Sequence, residues 1–551
     1  MGLSSWSTLP NHFKKCPEGE RMPDKGHAAS AEAGKIARAL GVISSTTMLS
    51  RVMGLLRDSL TAALFGAGGF MDAFLVAFKL PNMLRGLLAE GSLTVSFIPV
   101  YTEVMEKEGD EAAHKLGRVV ITALTLILAV IVLLGILAAP WIVNVVAMGF
   151  KDNPEKFNLT VSMTRWLFPF IAFVSLTAIA GGILNAREQF FYPALAPVVL
   201  NLCNIVVTWT LYRYFDLPIM AMVLGVLVGG VAQLLIQVRP LGKLGFHYFP
   251  DFAFRSEPLK KILLLMGPST FGVAVYQFNI VISTFFASWL PEGAVSYLYY
   301  SERLFQLPLG VFAVSIGVAS LPSLSRLAAR EDWISFNHTV SHAIRLLFFI
   351  VLPASIGLMI LSEPIVALLF ERGRFTPEMT IGTSTTLKFY ALAMIPVSIT
   401  RVFAQSFYAV KEMKTPVKGA FVSLVVNVFA SWLFAFPLGL AQGGLALATA
   451  FSSTVNMFYL SEMYRRKNGE NPFKGLYKPL FLIALASLGM GALVWLGDAG
   501  FIALAGKVSG FSMRLLEILL VIPAGVAGYI VFAKLLGLKD LSELTGRLRG
   551  N

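Results

Sequence analysis

The sequence predicts an all-α integral membrane protein with about fourteen transmembrane helices. The chain has 551 residues, of which 56% are hydrophobic and only 14% are charged, whereas soluble domains carry about 25% charged residues. A helix needs about 20 apolar residues to cross a hydrocarbon core, and runs of that length recur along almost the entire chain. The connections between these runs are too short for a separate extramembrane catalytic domain.

The predicted spans are apolar runs bounded by polar or helix-breaking residues. The second and the eighth differ from the others because they carry several charges. The spans are predicted near residues 36–65, 70–101, 118–148, 160–186, 191–213, 218–238, 260–289, 294–325, 340–369, 378–409, 416–436, 442–464, 477–497 and 512–536.

The distribution of Lys and Arg among the loops predicts the orientation of these helices. With the N-terminus in the cytoplasm, the tails and the even-numbered connections hold about 30 cations and the opposite side about seven. Both termini are therefore predicted to be cytoplasmic, and much of the net charge of +13 is a topology signal, not a nucleic-acid-binding surface. Residues 1–35 are polar and lack the apolar core of a signal peptide, so we predict a disordered cytoplasmic tail.

The spans contain an internal repeat. Residues of the two halves match at an offset of 223 or 224: Ser175 matches Ser398, Pro193 matches Pro416, Asn204 matches Asn427, Lys79 matches Arg303 and Gly86 matches Gly310. An even number of spans separates the copies, so both halves have the same orientation, as in transporters built from parallel repeats. We predict two lobes of about six helices each, an N-lobe at 36–238 and a C-lobe at 260–464, then two helices at 477–537 and a cytoplasmic tail at 538–551.

Several cations remain inside the predicted spans after the loops are assigned. A charged side chain costs about 3 kcal/mol or more at the bilayer centre, so these groups must face protein or water. Most lie on spans one, two and eight: Arg51, Arg57, Lys79, Arg85 and Arg303, with Asp58, Asp72, Glu90 and Glu302 as acidic partners, whereas Arg165, Lys388 and Arg401 lie elsewhere.

Structural ion pairs account for part of this charge. The guanidinium fork binds phosphate bidentately, so an excess of arginine over carboxylate suits a phosphate or pyrophosphate headgroup. The cluster is therefore interpreted as the transport path of an anionic, lipid-linked substrate at the seam between the lobes. A drug or cation antiporter would instead favour acidic cavity residues. The sequence carries no Walker loop, nucleophile elbow or metal-ligand cluster, so neither an enzyme nor a metal or cofactor site is predicted.

Several segments resemble one known family, and the resemblance runs from about residue 36 to 540. The segments are 50–58 (SRVMGLLRD), 72–74 (DAF), 78–82 (FKLPN), 89–91 (AEG), 300–304 (YSERL), 321–325 (LPSLS) and 414–417 (KTPV). They are similar to the MurJ (MviN) family of the MOP exporter superfamily. The resemblance implies a lipid II flippase that moves an undecaprenyl-pyrophosphate-linked peptidoglycan precursor from the inner to the outer leaflet by alternating access.

The resemblance also implies roles for individual residues. The family's cavity charges correspond to Arg51, Arg57, Asp72, Arg85 and Arg303, and its gate corresponds to Asp58 and Glu90. To these we add Lys79 in the cavity, because it shares a helical face with Arg85, and Ser50 and Glu302 at the gate.

Further expectations follow from the same resemblance. The last two spans form a groove for the lipid tail. Spans seven and eleven carry Asn279 and Asn427 where family members with a sodium site carry aspartate, which favours membrane potential over sodium as the driving force. The protein is expected to be a monomer in the bacterial inner membrane, in contact with membrane lipid and with cell-wall synthesis or division proteins. The alternatives are a flippase for another lipid-linked oligosaccharide, of the O-antigen type, and a MATE-like drug/cation antiporter.

Overall fold

The computed structural model describes residues 25–86, 93–505, 510–538 and 540, with side chains except at 25–40, 94–95, 267–276, 314, 318 and 504–505. The described residues are almost entirely α-helical. The helices are α1 (Lys25–Phe65), α2 (Gly69–Arg85), α3 (Thr94–Glu108), α4 (Asp110–Val146), α5 (Pro154–Leu167), α6 (Phe170–Ala186), α7 (Phe191–Leu211), α8 (Met220–Lys243), α9 (Glu257–Ser288), α10 (Ala294–Pro308), α11 (Val314–Ala329), α12 (Trp333–Ile360), α13 (Ser362–Phe370), α14 (Pro377–Leu392), α15 (Met394–Ala409), α16 (Lys414–Ala435), α17 (Ala441–Asn468), α18 (Tyr477–Ala505) and α19 (Phe511–Leu535).

The helices account for the predicted spans. Nine helical stretches within the described residues are long and apolar enough to cross a membrane, or ten if the bent pair α14–α15 counts as one span. This confirms an all-α, multi-pass architecture, while the number of fourteen stays a prediction. The second predicted span falls on α2 and α3, and the eighth falls on α10 and α11, which are joined by a π-helical turn at Leu309–Ala313. Helix α1 begins at Lys25, inside the segment predicted as a tail.

The two halves share an unusual backbone turn. Glu188 and Lys411 both have a φ of 58°, a value that residues other than glycine adopt infrequently. They are separated by the repeat offset of 223. Glu188 lies just before α7, and Lys411 lies just before α16. The duplication seen in the sequence thus extends to backbone conformation.

Helix α9 contacts both lobes. Leu259 and Ile262, near its start, belong to a buried apolar cluster formed mainly by α3, α4 and α6 of the N-lobe. The hairpin α18–α19, in contrast, packs on the C-lobe helix α12. There the Tyr529 hydroxyl donates to the Phe349 carbonyl at 2.7 Å, and Arg345 pairs with Asp540 at 2.7 Å.

The lobes meet at the end of the bundle where α1 ends and α2 begins. We name this the outer end, because the loop charges predict that it faces away from the cytoplasm. The Arg374 amide donates to the Ala63 carbonyl at 2.8 Å, and the Ser59 hydroxyl donates to the Leu369 carbonyl at 2.8 Å. Since these bonds join α1 to the segment around α13, they close the space between the lobes at the outer end.

Candidate functional site

A cavity of about 850 Å³ lies between the lobes. We name the lining residues of α1, α2 and α10 the charged side of the cavity and those of α9, α15 and α17 the neutral side. Pro197 and Asn201 of α7 also line the cavity. Eight of the residues predicted for the site line it: Ser50, Arg51, Arg57, Asp58, Lys79, Arg85, Glu302 and Arg303. Residues that the sequence analysis assigned to one site, from three predicted spans, therefore line one cavity in the structure.

Arg57 and Asp58 form the centre of the charged side. The Arg57 guanidinium donates to Asp58 Oδ1 from Nη2 at 2.7 Å and from Nε at 3.1 Å, and its Nη1 donates to Asn201 Oδ1 at 3.0 Å. The Asp58 side chain is 3% exposed and the Arg57 side chain 14%. A buried charge pair of this kind is tolerated only when further hydrogen bonds satisfy its remaining polar atoms.

Arg303 joins this centre from the C-lobe helix α10. Its Nε lies 3.6 Å from Asp58 Oδ2, its Nη2 donates to the Tyr299 hydroxyl at 3.3 Å, and its guanidinium carbon lies 4.9 Å from the centre of the Tyr299 ring. The Tyr299 hydroxyl in turn donates to Asp58 Oδ1 at 3.0 Å and accepts from Arg57 at 3.1 Å. The Arg303 side chain is 43% exposed, so its fork is open to the cavity.

The remaining cations extend the charged side along α1 and α2. The Arg51 guanidinium lies so close to Gly310 that a Cβ at that glycine would overlap it. Lys79 donates to Thr284 Oγ1 of α9 at 3.1 Å, and Arg85 donates to Asn82 Oδ1 at 2.7 Å. Arg51 and Lys79 thus also link the two lobes.

Asp72 was predicted to lie in the cavity, but the structure places it at the outer end. Its side chain is 1% exposed and forms an ion pair with Lys156 of α5 at 2.8 Å. The same carboxylate accepts from the Gly293 amide at 2.8 Å and from the Ser296 amide and hydroxyl at 3.0 and 2.7 Å. Asp72 therefore caps the N-terminus of α10 from the opposite lobe, where a carboxylate is favoured. Sequence spacing could not reveal this, because Asp72 shares a helix with Lys79 and Arg85.

The predicted gate residues have different surroundings. Ser50 lines the cavity, and its backbone carbonyl accepts from the Asn201 amide at 3.3 Å. Glu302 lines the cavity and accepts from Gln306 Nε2 at 2.8 Å. Glu90 lies outside the described residues. Asp58 is a partner of both Arg57 and Arg303, so it bridges the two lobes within the cavity.

Two residues of the charged centre were absent from the sequence prediction. Asn201 is one of two asparagines in the fifth predicted span, and Tyr299 precedes Arg303 by one helical turn. Either signal could have directed attention to them. Asn427, considered for a sodium site, is buried and donates to Ser452 Oγ at 3.1 Å. Across the described ranges, no cluster of three or more His, Cys, Asp or Glu side chains is arranged to hold a metal ion.

Comparison with known proteins accords with this geometry. The family model described as "Lipid II flippase MurJ" matches residues 61–515. The chain belongs to this family. It is 35% identical over 448 residues to the lipid II flippase MurJ of Burkholderia cenocepacia, covering 80% of this chain and 85% of that protein. It is 34% identical over 523 residues to the probable lipid II flippase MurJ of Vibrio cholerae, covering 92% and 97%.

Solved structures extend the MurJ assignment to the fold. A lipid II flippase MurJ in an inward closed conformation superposes with a TM-score of 0.74 at 28% identity, covering 90% of this chain and 98% of that one. An inward-facing MATE multidrug transporter of the MOP superfamily superposes with a TM-score of 0.65 at 17% identity, covering 78% and 98%. At that identity the MATE likeness concerns the fold alone.

Proposed function

We propose that this MurJ family member moves lipid II across the cytoplasmic membrane, and that the charged side of the cavity binds its pyrophosphate. The observation that carries the proposal is the convergence of Arg57 and Arg303, from opposite lobes, on Asp58 and Tyr299. Two guanidinium groups on one carboxylate leave positive charge in the cavity. A pyrophosphate neutralises such charge through bidentate hydrogen bonds.

The size of the cavity is compatible with such a headgroup. Its volume of about 850 Å³ lies in the upper part of the range of 300–1,000 Å³ typical of small-molecule sites. The polyprenyl chain need not enter, because it remains soluble in the surrounding lipid. The groove for this tail is expected at the α18–α19 hairpin, which packs beside α12.

Alternating access requires contacts that form in one state and break in another. The bonds from Asp72 to Gly293 and Ser296 close the outer end in this state. In the proposed cycle they break when the lobes rock and the headgroup is released outward. Arg57 and Arg303 then separate, which reduces the affinity of the cavity for the anion.

Membrane potential is the proposed driving force. Moving one net charge through it is worth about 2.3 kcal/mol per 100 mV. The chain carries Asn279 and Asn427 in the two spans considered for sodium, so the proposal does not route the cycle through that ion.

Charge reversal at Arg303 tests the proposal that Arg57 and Arg303 together bind the pyrophosphate, an arrangement that we name the clamp. Arg303→Glu replaces a cation that faces the cavity by an anion that repels pyrophosphate. We therefore expect the variant to insert into the membrane but to fail to restore growth to a bacterium depleted of its flippase. Lipid II should then accumulate in the inner leaflet. Arg330→Glu is the matched control, because Arg330 is exposed at the end of α11 and lies outside the cavity. Full growth with Arg303→Glu would refute the clamp, and lost surface polysaccharide with intact wall synthesis would favour another lipid-linked oligosaccharide.

A further inference from the structure

We propose that the neutral side of the cavity, lined by α9, α15 and α17, is a second subsite, which binds the uncharged hydroxyl- and amide-bearing part of the headgroup. Thr449, Ser453 and Asn456 of α17 form its core. The inference rests on the proposed function and extends it. A peptidoglycan precursor carries sugar hydroxyls and peptide amides beside its pyrophosphate, and these groups need partners of a different kind from guanidinium.

The three residues share one face of α17. They are separated by four and three positions, so they lie above one another along the helix. All three line the cavity. Uncharged side chains that both donate and accept suit sugar hydroxyls and peptide amides, whose polar groups do the same.

Neighbouring helices continue this neutral face. Asn279 and Ser283 line the cavity from α9, and Thr400 lines it from α15. Among the described lining residues of α9, α15 and α17, Arg401 is the single charged one. Apart from Arg401, the charged lining residues therefore lie on α1, α2 and α10, and the other polar lining residues of α9, α15 and α17 are uncharged, a division that matches the two parts of the headgroup.

The neutral side has unused hydrogen-bonding capacity. Asn279 Oδ1, Thr400 Oγ1 and Asn456 Oδ1 are buried and have no hydrogen-bond partner among the described residues. The charged centre differs, because Arg57 and Asp58 are bonded to each other and to Tyr299. A buried polar atom without a partner carries a desolvation cost. Rotation of these short side chains toward a bound hydroxyl or amide would recover that cost.

The repeat shows that this face is particular to the C-lobe. At an offset of 223, Thr449, Ser453 and Asn456 correspond to Val226, Gly230 and Gln233 of α8. These N-lobe residues are buried, and Gly230 packs closely against Phe170 and Phe173. One stripe of a duplicated helix is thus used for packing within the N-lobe, and its counterpart in the C-lobe faces the cavity.

Binding measurements with two ligands test the subsite. Full-length protein in nanodiscs is titrated with lipid II and with undecaprenyl pyrophosphate, which has the same tail and a pyrophosphate whose terminal phosphate is free instead of linked to sugar and peptide. The double variant Ser453→Ala/Asn456→Leu removes hydrogen-bonding groups and keeps the branched shape of the Asn456 side chain. We expect its affinity for lipid II to fall about tenfold while its affinity for undecaprenyl pyrophosphate stays at the wild-type value.

Two single substitutions provide a matched comparison on the same helix. The Thr449 and Thr454 hydroxyls both donate to the backbone carbonyl four residues earlier, but of the two only Thr449 lines the cavity. Thr449→Val should weaken lipid II binding, and Thr454→Val should not. Ser453→Thr keeps the hydroxyl and should retain the preference for lipid II, which separates loss of a partner from loss of fold.

The outcomes distinguish the subsite from the function on which it rests. Equal losses for both ligands, or unchanged lipid II binding in the double variant, would overturn the subsite while leaving the flippase proposal intact. A wild-type protein that binds neither ligand would overturn the flippase proposal and the subsite together.

Discussion

Asp58 and Asp72 are two carboxylates on the first two spans that are almost equally buried, at 2% and 1% exposure. The sequence assigned both to one charged cluster, but their partners differ. Asp58 accepts hydrogen bonds from the Arg57 and Tyr299 side chains inside the cavity. Asp72 accepts from the backbone of α10 and from Lys156 at the outer end.

The difference shows that burial does not by itself define the role of a membrane carboxylate. Side-chain partners such as Arg57 can turn toward an incoming anion, so Asp58 occupies a position that a pyrophosphate oxygen could take over. The Gly293 and Ser296 amides are fixed at the start of α10, so their bonds to Asp72 break when α10 moves relative to α2. Asp58 is accordingly suited to exchange with a substrate, and Asp72 to hold a conformational state.

The largest expected effect comes from Asp72→Asn. Four donors surround the two oxygens of Asp72, and an asparagine would turn an NH₂ group toward two of them. It would also leave Lys156 without its anion. Breaking a buried pair by removal of one partner costs about 3–5 kcal/mol, so we expect a clearly lower melting temperature in detergent. Exposed Asp152 provides the control, and unchanged stability of Asp72→Asn would contradict the role of Asp72 as a lock.

The corresponding substitution Asp58→Asn should lower stability less than Asp72→Asn, because Arg57 keeps other partners, and it should also change binding. The introduced asparagine would be neutral yet could still accept from Arg57 through its carbonyl oxygen, and Arg57 would keep its bonds to Asn201 and Tyr299. Both guanidinium groups would lose their counter-charge. We expect undecaprenyl pyrophosphate to bind about fivefold more tightly, which corresponds to about 1 kcal/mol. Weaker binding of this lipid, measured by titration in nanodiscs, would show that Asp58 contacts the substrate as a required partner.

Sequence reasoning succeeded where regular helical spacing sufficed. Apolar length predicted the helices, and the offset of 223 predicted a duplication that the matching turns at Glu188 and Lys411 display. The sequence also predicted that Arg51, Arg57 and Arg303 share one site. The prediction succeeded because charged side chains are costly at the lipid surface and therefore face the interior of the bundle.

Sequence reasoning did not predict contacts that depend on where a helix begins or ends. The position of Asp72 depends on where α10 begins, and that start is set by Gly293, whose φ of 92° is readily available to glycine. The neutral side of the cavity was missed for another reason. Thr449, Ser453 and Asn456 carry no charge, so nothing in the sequence distinguished them from polar residues that pack within a lobe.

Substitutions at two adjacent tyrosines provide a further test of the charged centre. The Tyr299 hydroxyl bonds to Asp58, Arg57 and Arg303, whereas the buried Tyr300 hydroxyl lies beside Thr61 and bonds to none of these three side chains. We expect Tyr299→Phe to lower stability by about 1–2 kcal/mol, because it leaves Asp58 with fewer donors. Tyr300→Phe should have a smaller effect, because it leaves the donors to Asp58 in place. Equal effects of the two substitutions would contradict the hydrogen-bond network around Asp58.

The smallest effect concerns a buried titratable group far from both carboxylates. His114 lies near the start of α4, before the predicted span, and burial together with the Arg187 guanidinium at 3.4 Å lowers the pKa of its imidazole below 6.5. Since the folded protein favours the neutral ring, this group contributes stability above pH 6.5 that is lost as pH falls toward the lowered pKa. Wild-type stability, measured by thermal unfolding, should therefore decline over that interval, and His114→Gln should remove this part of the decline. Exposed His247 is the control, and an identical pH profile in His114→Gln would exclude His114 as the source.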